Sequence, residues 1–217
     1  RISEPMVLTD IPYEVDVALR DVDANRRKKM TYYDGTLEIM SPDYIHDQPS
    51  RRIGLFVNVL CEELNIEFEG TSSTTMRLPG DGPKKGKGKE PDQGFYFANA
   101  TRLLCRESIK VADGDPPPDL WVEVDNRGSS KGRLPMYAAL GVTEVWQFRV
   151  RTRRLRFSAL GEYGTYRTIE RSLSLPMLTP ALVLEGLALG DGLLEGTWTR
   201  TLRAWVRQKF APEAGRD

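Results

Sequence analysis

Pro116-Pro117-Pro118-Asp119-Leu120-Trp121-Val122-Glu123-Val124-Asp125 is the stretch whose reading decides the fold. Three prolines end whatever precedes them, and a short apolar run rich in β-branched and aromatic residues follows. Strand side chains alternate between faces. Leu120, Val122 and Val124 therefore point one way, and Asp119, Trp121, Glu123 and Asp125 the other. A central strand with acids on one face needs a reason, because a buried unpaired carboxylate is costly. The reasons available are a cation partner, a metal, or exposure at a sheet edge. We read a metal site, which the rest of the chain is arranged to complete.

Working outward, Met30–Tyr33 and Thr36–Met40 flank Asp34-Gly35. Asp-Gly between two strand-like runs is a strong two-residue hairpin signal. A charged segment, Arg20–Lys29, precedes the hairpin, and Val15–Leu19 reads as a short helix. His46–Leu64 reads as an amphipathic helix, with Pro49 and Ser50 in its first turn. Phe68–Arg77 is strand-like. Leu78–Lys89 holds four glycines and four lysines and reads as a mobile basic loop. It is either a solvated surface loop or a flap that contacts phosphate, and it lacks the P-loop pattern.

Beyond Glu90-Pro91-Asp92, strands are expected at Gly94–Phe97, at 120–125, at Glu144–Phe148, at Arg154–Ser158 and at Tyr163–Ile169, the last two as a meander. Helices are expected at Gly132–Leu140, stopped by Gly141, from Pro180 to about Leu187, and at Trp198–Phe210. This predicts an α/β (α+β) class: a mixed central sheet flanked by helices, with an N-terminal hairpin and a C-terminal meander. One domain is expected over residues 1–210, with a disordered tail at 211–217.

Composition narrows the functional classes. With 217 residues, the chain can bury roughly 70% of its unfolded surface without staples. The 31 basic and 31 acidic residues cancel, so any nucleic-acid site must be a local patch. The two cysteines, Cys61 and Cys105, read as reduced thiols of a cytoplasmic protein, with Cys61 in core packing. No apolar run approaches ~20 residues, which excludes a membrane-spanning helix. The chain opens at Arg1 rather than Met, and so reads as trimmed, with a removed leader left open.

Asp92 starts one strand and Glu123 lies inside another. If the two strands are neighbours, facing side chains lie roughly 5 Å apart. Two carboxylates that close raise each other's pKa, and a divalent ion removes the penalty. Mg²⁺ or Mn²⁺ suits one or two carboxylates, waters and phosphate oxygens. Its role would be to activate water and neutralise charge on a scissile phosphate, with a nearby lysine or arginine steadying the transition state. Asp119 lies four residues before Glu123 on the same strand, roughly 13 Å away, and reads as a strand-start residue rather than a ligand.

Further segments occur in a telling order. They are Tyr33-Asp34-Gly35 with Glu38 and Met40-Ser41-Pro42, His46 before a helix, Glu90-Pro91-Asp92 with Phe95-Tyr96, and Pro117-Pro118-Asp119-Leu120 with Val122-Glu123-Val124. Arg133-Leu134-Pro135, Tyr137-Ala138, Gly141-Val142 and Glu144-Val145-Trp146 close the series. Over about residues 20–190 the sequence resembles the Uma-type restriction-endonuclease family of the PD-(D/E)XK nuclease superfamily. That resemblance implies a restriction-endonuclease-like fold and a Mg²⁺-dependent deoxyribonuclease. It implies Asp92 and Glu123 as metal-binding motif acids, with the Val124 carbonyl as a further ligand.

The resemblance also exposes a gap. The family lysine, four residues before the motif tyrosine, is Arg133 here, and the other superfamily position, two after the acid, is Asp125. Lys131 is the nearest substitute. Arginine can hold a phosphate but cannot readily take a proton from water. Asp125 is then a third metal ligand or a partner for Arg133. Glu38 is either an exposed strand residue or a group at the metal, and His46 either structural or part of the site.

The expected DNA contacts are Lys84, Lys85, Lys87 and Lys89, with Arg51 and Arg52. DNA is the expected partner, and a homodimer would suit double-strand cleavage. The alternative function is a catalytically weak or inactive nuclease fold that binds or regulates nucleic acid. The blandest reading is an interaction protein with a solvated acidic edge, its two acids far apart.

Overall fold

The structure, a computed structural model, describes residues 5–22, 28–41, 44–72, 74–126 and 130–210, with the side chains of 44–46, 130 and 131 left aside. The expected tail at 211–217 lies outside the described residues. In chain order the elements begin with β1 (Met6–Leu8), α1 (Tyr13–Asp21), β2 (Lys29–Tyr33), β3 (Thr36–Met40) and α2 (Tyr44–Leu64). Then come β4 (Glu69–Thr71), β5 (Met76–Leu78), β6 (Lys87–Lys89), β7 (Gln93–Tyr96), β8 (Leu120–Asp125) and α3 (Leu134–Ala139). The chain continues through β9 (Glu144–Arg149), β10 (Arg154–Leu160), β11 (Tyr166–Ile169), α4 (Pro180–Ala188) and α5 (Glu195–Phe210).

The class is mixed α/β, as expected, but the strands form two sheets. A six-stranded sheet runs β11-β10-β9-β8-β7-β4, with β8 and β9 parallel and the other pairs antiparallel. A five-stranded antiparallel sheet runs β1-β3-β2-β6-β5. The Asp34-Gly35 hairpin is thus the centre of a second sheet rather than a lone appendage. Both turn residues have positive φ, 43° and 90°, which a two-residue hairpin of this kind requires.

Alternation along β8 sets the layers. Leu120, Val122 and Val124 join Phe56, Leu60, Trp146, Phe157, Trp198 and Leu202 in the main core under α2, α4 and α5. Gly186 of α4 sits so close to α2 that a Cβ there would meet the Phe56 ring at 2.4 Å. On the opposite face Trp121 packs with Met76, Tyr96, Met136, Tyr137 and Val145, between α3 and the five-stranded sheet. The outer face of that sheet, with Met30, Tyr32 and Leu37, is covered by Tyr13 and Leu19 of α1.

Three local expectations change. Phe68–Arg77 is not one strand: β4 belongs to one sheet and β5 to the other. Pro49 lies inside α2 rather than in its first turn, because the helix begins at Tyr44. Leu78–Lys89 is not loop throughout: Lys87–Lys89 forms β6, which pairs with β5. Its glycines allow close approach: a Cβ on Gly86 would meet the Tyr13 ring at 2.2 Å. Tyr13 N–H donates to the Pro83 carbonyl (2.6 Å) and Asp34 N–H to that of Gly86 (3.1 Å). Among the described residues no helix is long and apolar enough to cross a membrane.

Cys61 is buried in α2, and burial, with the neighbouring Glu62 charge, pushes its thiol up to about 12. Cys105 is exposed. Because only the thiolate reacts, an aromatic-disulfide titration at pH 8 should modify Cys105 alone in the native protein. Cys61 should follow only after denaturation; rapid native labelling at Cys61 would contradict this packing.

Candidate active site

The register of β7 against β8 pairs Gln93 with Val122, and one step back it brings Asp92 opposite Glu123. Asp92 N–H donates to the Val122 carbonyl (3.2 Å), and Val124 N–H donates to Asp92 Oδ2 (2.8 Å). Ser50 of α2 donates its hydroxyl to the Asp92 carbonyl (3.2 Å) and fixes the same corner from the other side. The two acids therefore meet on one face of the sheet. Both are buried. Burial raises the Glu123 carboxyl, Lys89 draws it down, and the Asp92 charge raises it again. The indole N–H of Trp121, two residues earlier on β8, donates to Glu123 Oε1 and fixes that carboxylate's orientation.

The charges that accompany this pair come from the five-stranded sheet. Lys29, Thr31 and Tyr33 share one face of β2, and Lys87 and Lys89 share the corresponding face of β6, since Thr31 pairs with Lys89. That face looks onto β8. Lys89 Nζ lies 3.2 Å from Glu123 Oε2, with both side chains almost wholly buried. Lys29 Nζ is paired with Asp92 Oδ1. Burial works against the charged form of Lys29, but the charge and hydrogen bond of Asp92, with Glu123 and Asp47, outweigh it and raise its pKa. Sequence reading missed Lys29 and placed Lys89 among DNA-facing loop lysines; here it is inside the protein. The available signal was the alternation Lys29-Met30-Thr31-Tyr32-Tyr33, whose polar face must look toward other polar groups.

Arg20 of α1 holds the two lysine-bearing strands at this point. It donates to the Met30 carbonyl (2.7 Å) and the Gly88 carbonyl (3.1 Å), neighbours of Lys29 and Lys89. It also pairs with Asp16 (2.9 Å) and Glu90 (3.2 Å). Burial raises the Asp16 carboxyl, and the charge and hydrogen bond of Arg20, with the Arg77 charge, offset only part of that rise.

Arg133, just before α3, is paired with Glu38 of β3. Glu38 faces Thr31 across the β2–β3 ladder, so it is on the site face rather than the outer one. Burial opposes the Arg133 charge, but Tyr137, Glu123 and Glu38 outweigh it and raise its pKa. The Tyr137 hydroxyl is buried with no hydrogen-bond partner, and burial, then the Glu123 charge, keeps it protonated. Glu38, Asp92 and Glu123 thus stand against Lys29, Lys89 and Arg133, with Asp47 also acting on Lys29 and Asp125 buried two residues beyond Glu123.

The remaining candidates are placed elsewhere. Asp119 accepts from Phe97 N–H (2.7 Å) and from the Asn99 side chain (2.9 Å), a strand-start role. Asp125 is buried beyond Glu123, but among the described residues no group of three or more His, Cys, Asp or Glu could hold a metal. Arg133 takes Glu38 as an ion-pair partner. Lys84 is paired with Asp10; Lys85 and Lys87 approach Asp34 at 4.0 and 3.5 Å. Arg51 pairs with Glu195 (2.7 Å), and Arg52 donates to the Gly190 carbonyl (3.0 Å) and lies over the Trp198 ring. The side chains of His46 and Lys131 lie outside the described residues.

Two buried carboxylates with hard oxygen donors fit a small divalent ion, which needs no more than one or two. The profile of the family described as "Uma2: Putative restriction endonuclease" matches residues 16–192. No curated protein matches the chain. A solved structure described as "a putative nuclease belonging to DUF820 from Anabaena variabilis ATCC 29413" is similar at 12% identity. The similarity covers 82% of this chain and 90% of that one, with a TM-score of 0.44.

Removing Arg20 leaves Asp16 as an uncompensated buried charge. Arg20→Met should cost about 3–5 kcal/mol in urea denaturation, and the double change with Asp16→Asn should cost less than Arg20→Met alone. A single variant as stable as wild type would rule out this anchoring.

Proposed function

The chain belongs to the family described as "Uma2: Putative restriction endonuclease", and we propose that it is a Mg²⁺- or Mn²⁺-dependent endonuclease that hydrolyses DNA phosphodiester bonds at Asp92 and Glu123. The observation that carries this reading is the meeting of those two acids on neighbouring strands, inside a ring of cationic side chains. Asp92 and Glu123, with the Val124 carbonyl, would hold the ion. When bound, the ion supplies an activated water and neutralises charge that builds on the scissile phosphate.

The chain's own residues do the rest. Trp121 and the Val124 N–H hold one oxygen of each carboxylate, so the pair is oriented before any ligand arrives. Arg133, kept charged and directed by Glu38, binds a phosphate oxygen and takes no proton from water. Tyr137 holds its hydroxyl proton and offers it as a donor on the same side. Lys84, Lys85 and Arg51 retain exposure and can exchange their acidic partners for flanking phosphates. Binding through them is salt-sensitive. A homodimer with two such sites would cut both strands.

Arg133 at the family lysine position favours a second reading, a nuclease fold that binds DNA with little or no turnover.

Plasmid DNA incubated with Mg²⁺ or Mn²⁺ should be cleaved. Asp92→Ala and Glu123→Ala should each lower the rate by at least about a hundredfold, with the far-ultraviolet dichroism unchanged. Full cleavage by both variants would sink the assignment. Salt-sensitive DNA binding with no cleavage in either ion would favour the second reading.

A further inference from the structure

Each of the four oxygens of Asp92 and Glu123 has its own partner, a hydrogen-bond donor for three of them and an ion-paired ammonium for the fourth. Asp92 Oδ2 accepts from Val124 N–H and Glu123 Oε1 from the Trp121 indole. These two donors belong to β8 and cannot leave without breaking the strand or its packing. Asp92 Oδ1 and Glu123 Oε2 are taken by Lys29 and Lys89. These donors are ammonium groups on flexible stems, which can swing away.

We propose that Lys29 and Lys89 are resident counter-ions, which hold the two carboxylate oxygens that a divalent cation uses and are displaced when it binds. The inference rests on the reading of Asp92 and Glu123 as metal ligands. It assigns to two residues outside the family's motif positions both the neutralisation of the resting site and a share of the cationic surface offered to phosphate.

The electrostatics give this a consequence. Two carboxylates and two ammonium groups sum to zero. A divalent cation that enters alone adds two positive charges to this quartet, where burial makes added charge expensive; Asp47, which acts on Lys29, and the buried Asp125 lie outside the quartet. A nucleic-acid phosphate restores the balance, and the displaced ammonium groups then face it. Cation and phosphate therefore bind cooperatively, and the coupling is reciprocal. Arg20, which grips the backbone beside both lysines, keeps their stems rooted while their tips move.

The test is calorimetric titration of Mn²⁺ into wild type, Lys29→Met and Lys89→Met, without DNA, alongside thermal melts with and without saturating Mn²⁺. Glu123→Ala serves as the control. Each Met variant should bind Mn²⁺ about tenfold more tightly than wild type. Each should melt below wild type without Mn²⁺ and recover most of the difference with it. Lys29 keeps 21% of its side chain exposed, so Lys29→Met carries the test if Lys89→Met does not fold. Mn²⁺ affinity equal to or weaker than wild type in the folded variants would overturn the counter-ion role and leave the metal site standing. Absence of Mn²⁺ binding in wild type and both variants would overturn the metal reading itself, and this inference with it.

Discussion

The contact between the Lys89 ammonium and the Glu123 carboxylate, 3.2 Å apart and shielded from water, joins one sheet to the other at the point where chemistry is expected. At that distance the attraction is about 5 kcal/mol for an effective dielectric near 20. Desolvation of the two ions costs several kcal/mol each. The net contribution to stability is therefore small. What the pair secures is registry. The five-stranded sheet can slide against β8 only by leaving a carboxylate and an ammonium buried without partners, and that cost is large. Trp121 adds to the constraint, since its ring packs near Tyr137 while its N–H holds the same carboxylate.

A strand as central as β8 is normally apolar on both faces. Here one face is apolar and drives the main core, while the other alternates an aromatic ring with acids. The same device recurs next door. Trp146 on β9 donates its indole N–H to Glu144 two residues earlier (2.7 Å), and that glutamate also accepts from the Leu173 and Ser174 N–H groups. Glu144 has backbone donors to satisfy it and serves packing. Glu123 is met by an ammonium group from another sheet. The contrast separates an acid satisfied by backbone donors from one neutralised by a side-chain cation.

Much of this was legible in the sequence because it is local. The boundaries of β8, the Asp34-Gly35 hairpin, the stop at Gly141 (φ 80°) and the Thr179-Pro180 start of α4 follow from alternation, turn chemistry and caps. The pairing of Asp92 with Glu123 was also within reach, since two strands with acids at matching steps need only be neighbours. The lysines were not legible. Lys29 and Lys89 lie in segments that read as a charged run and a glycine-rich loop, and nothing near them in the chain says what they face. Glycine has a second use here: at Gly86 and Gly88 it permits close packing of the chain against α1. A search for a lysine at two motif positions could not find one delivered across an inter-sheet gap.

The substitution at position 133 acquires a different meaning in this setting. An arginine there is paired with Glu38 and is committed to its charge, and in the proposed nuclease it would serve as a static clamp. A lysine at the same place would add a third mobile ammonium to a site that already has two. The division of labour is then physical. On the proposed reading, the guanidinium and its glutamate keep the wall of the site in place, the indole and the Val124 N–H aim the carboxylates, and the two ammonium groups are the parts able to move. Mg²⁺ tolerates little distortion of its ligand geometry and gives up water reluctantly. A site whose carboxylates are aimed in advance, with only the cations left to rearrange, meets that demand without any movement of the strands that carry the acids.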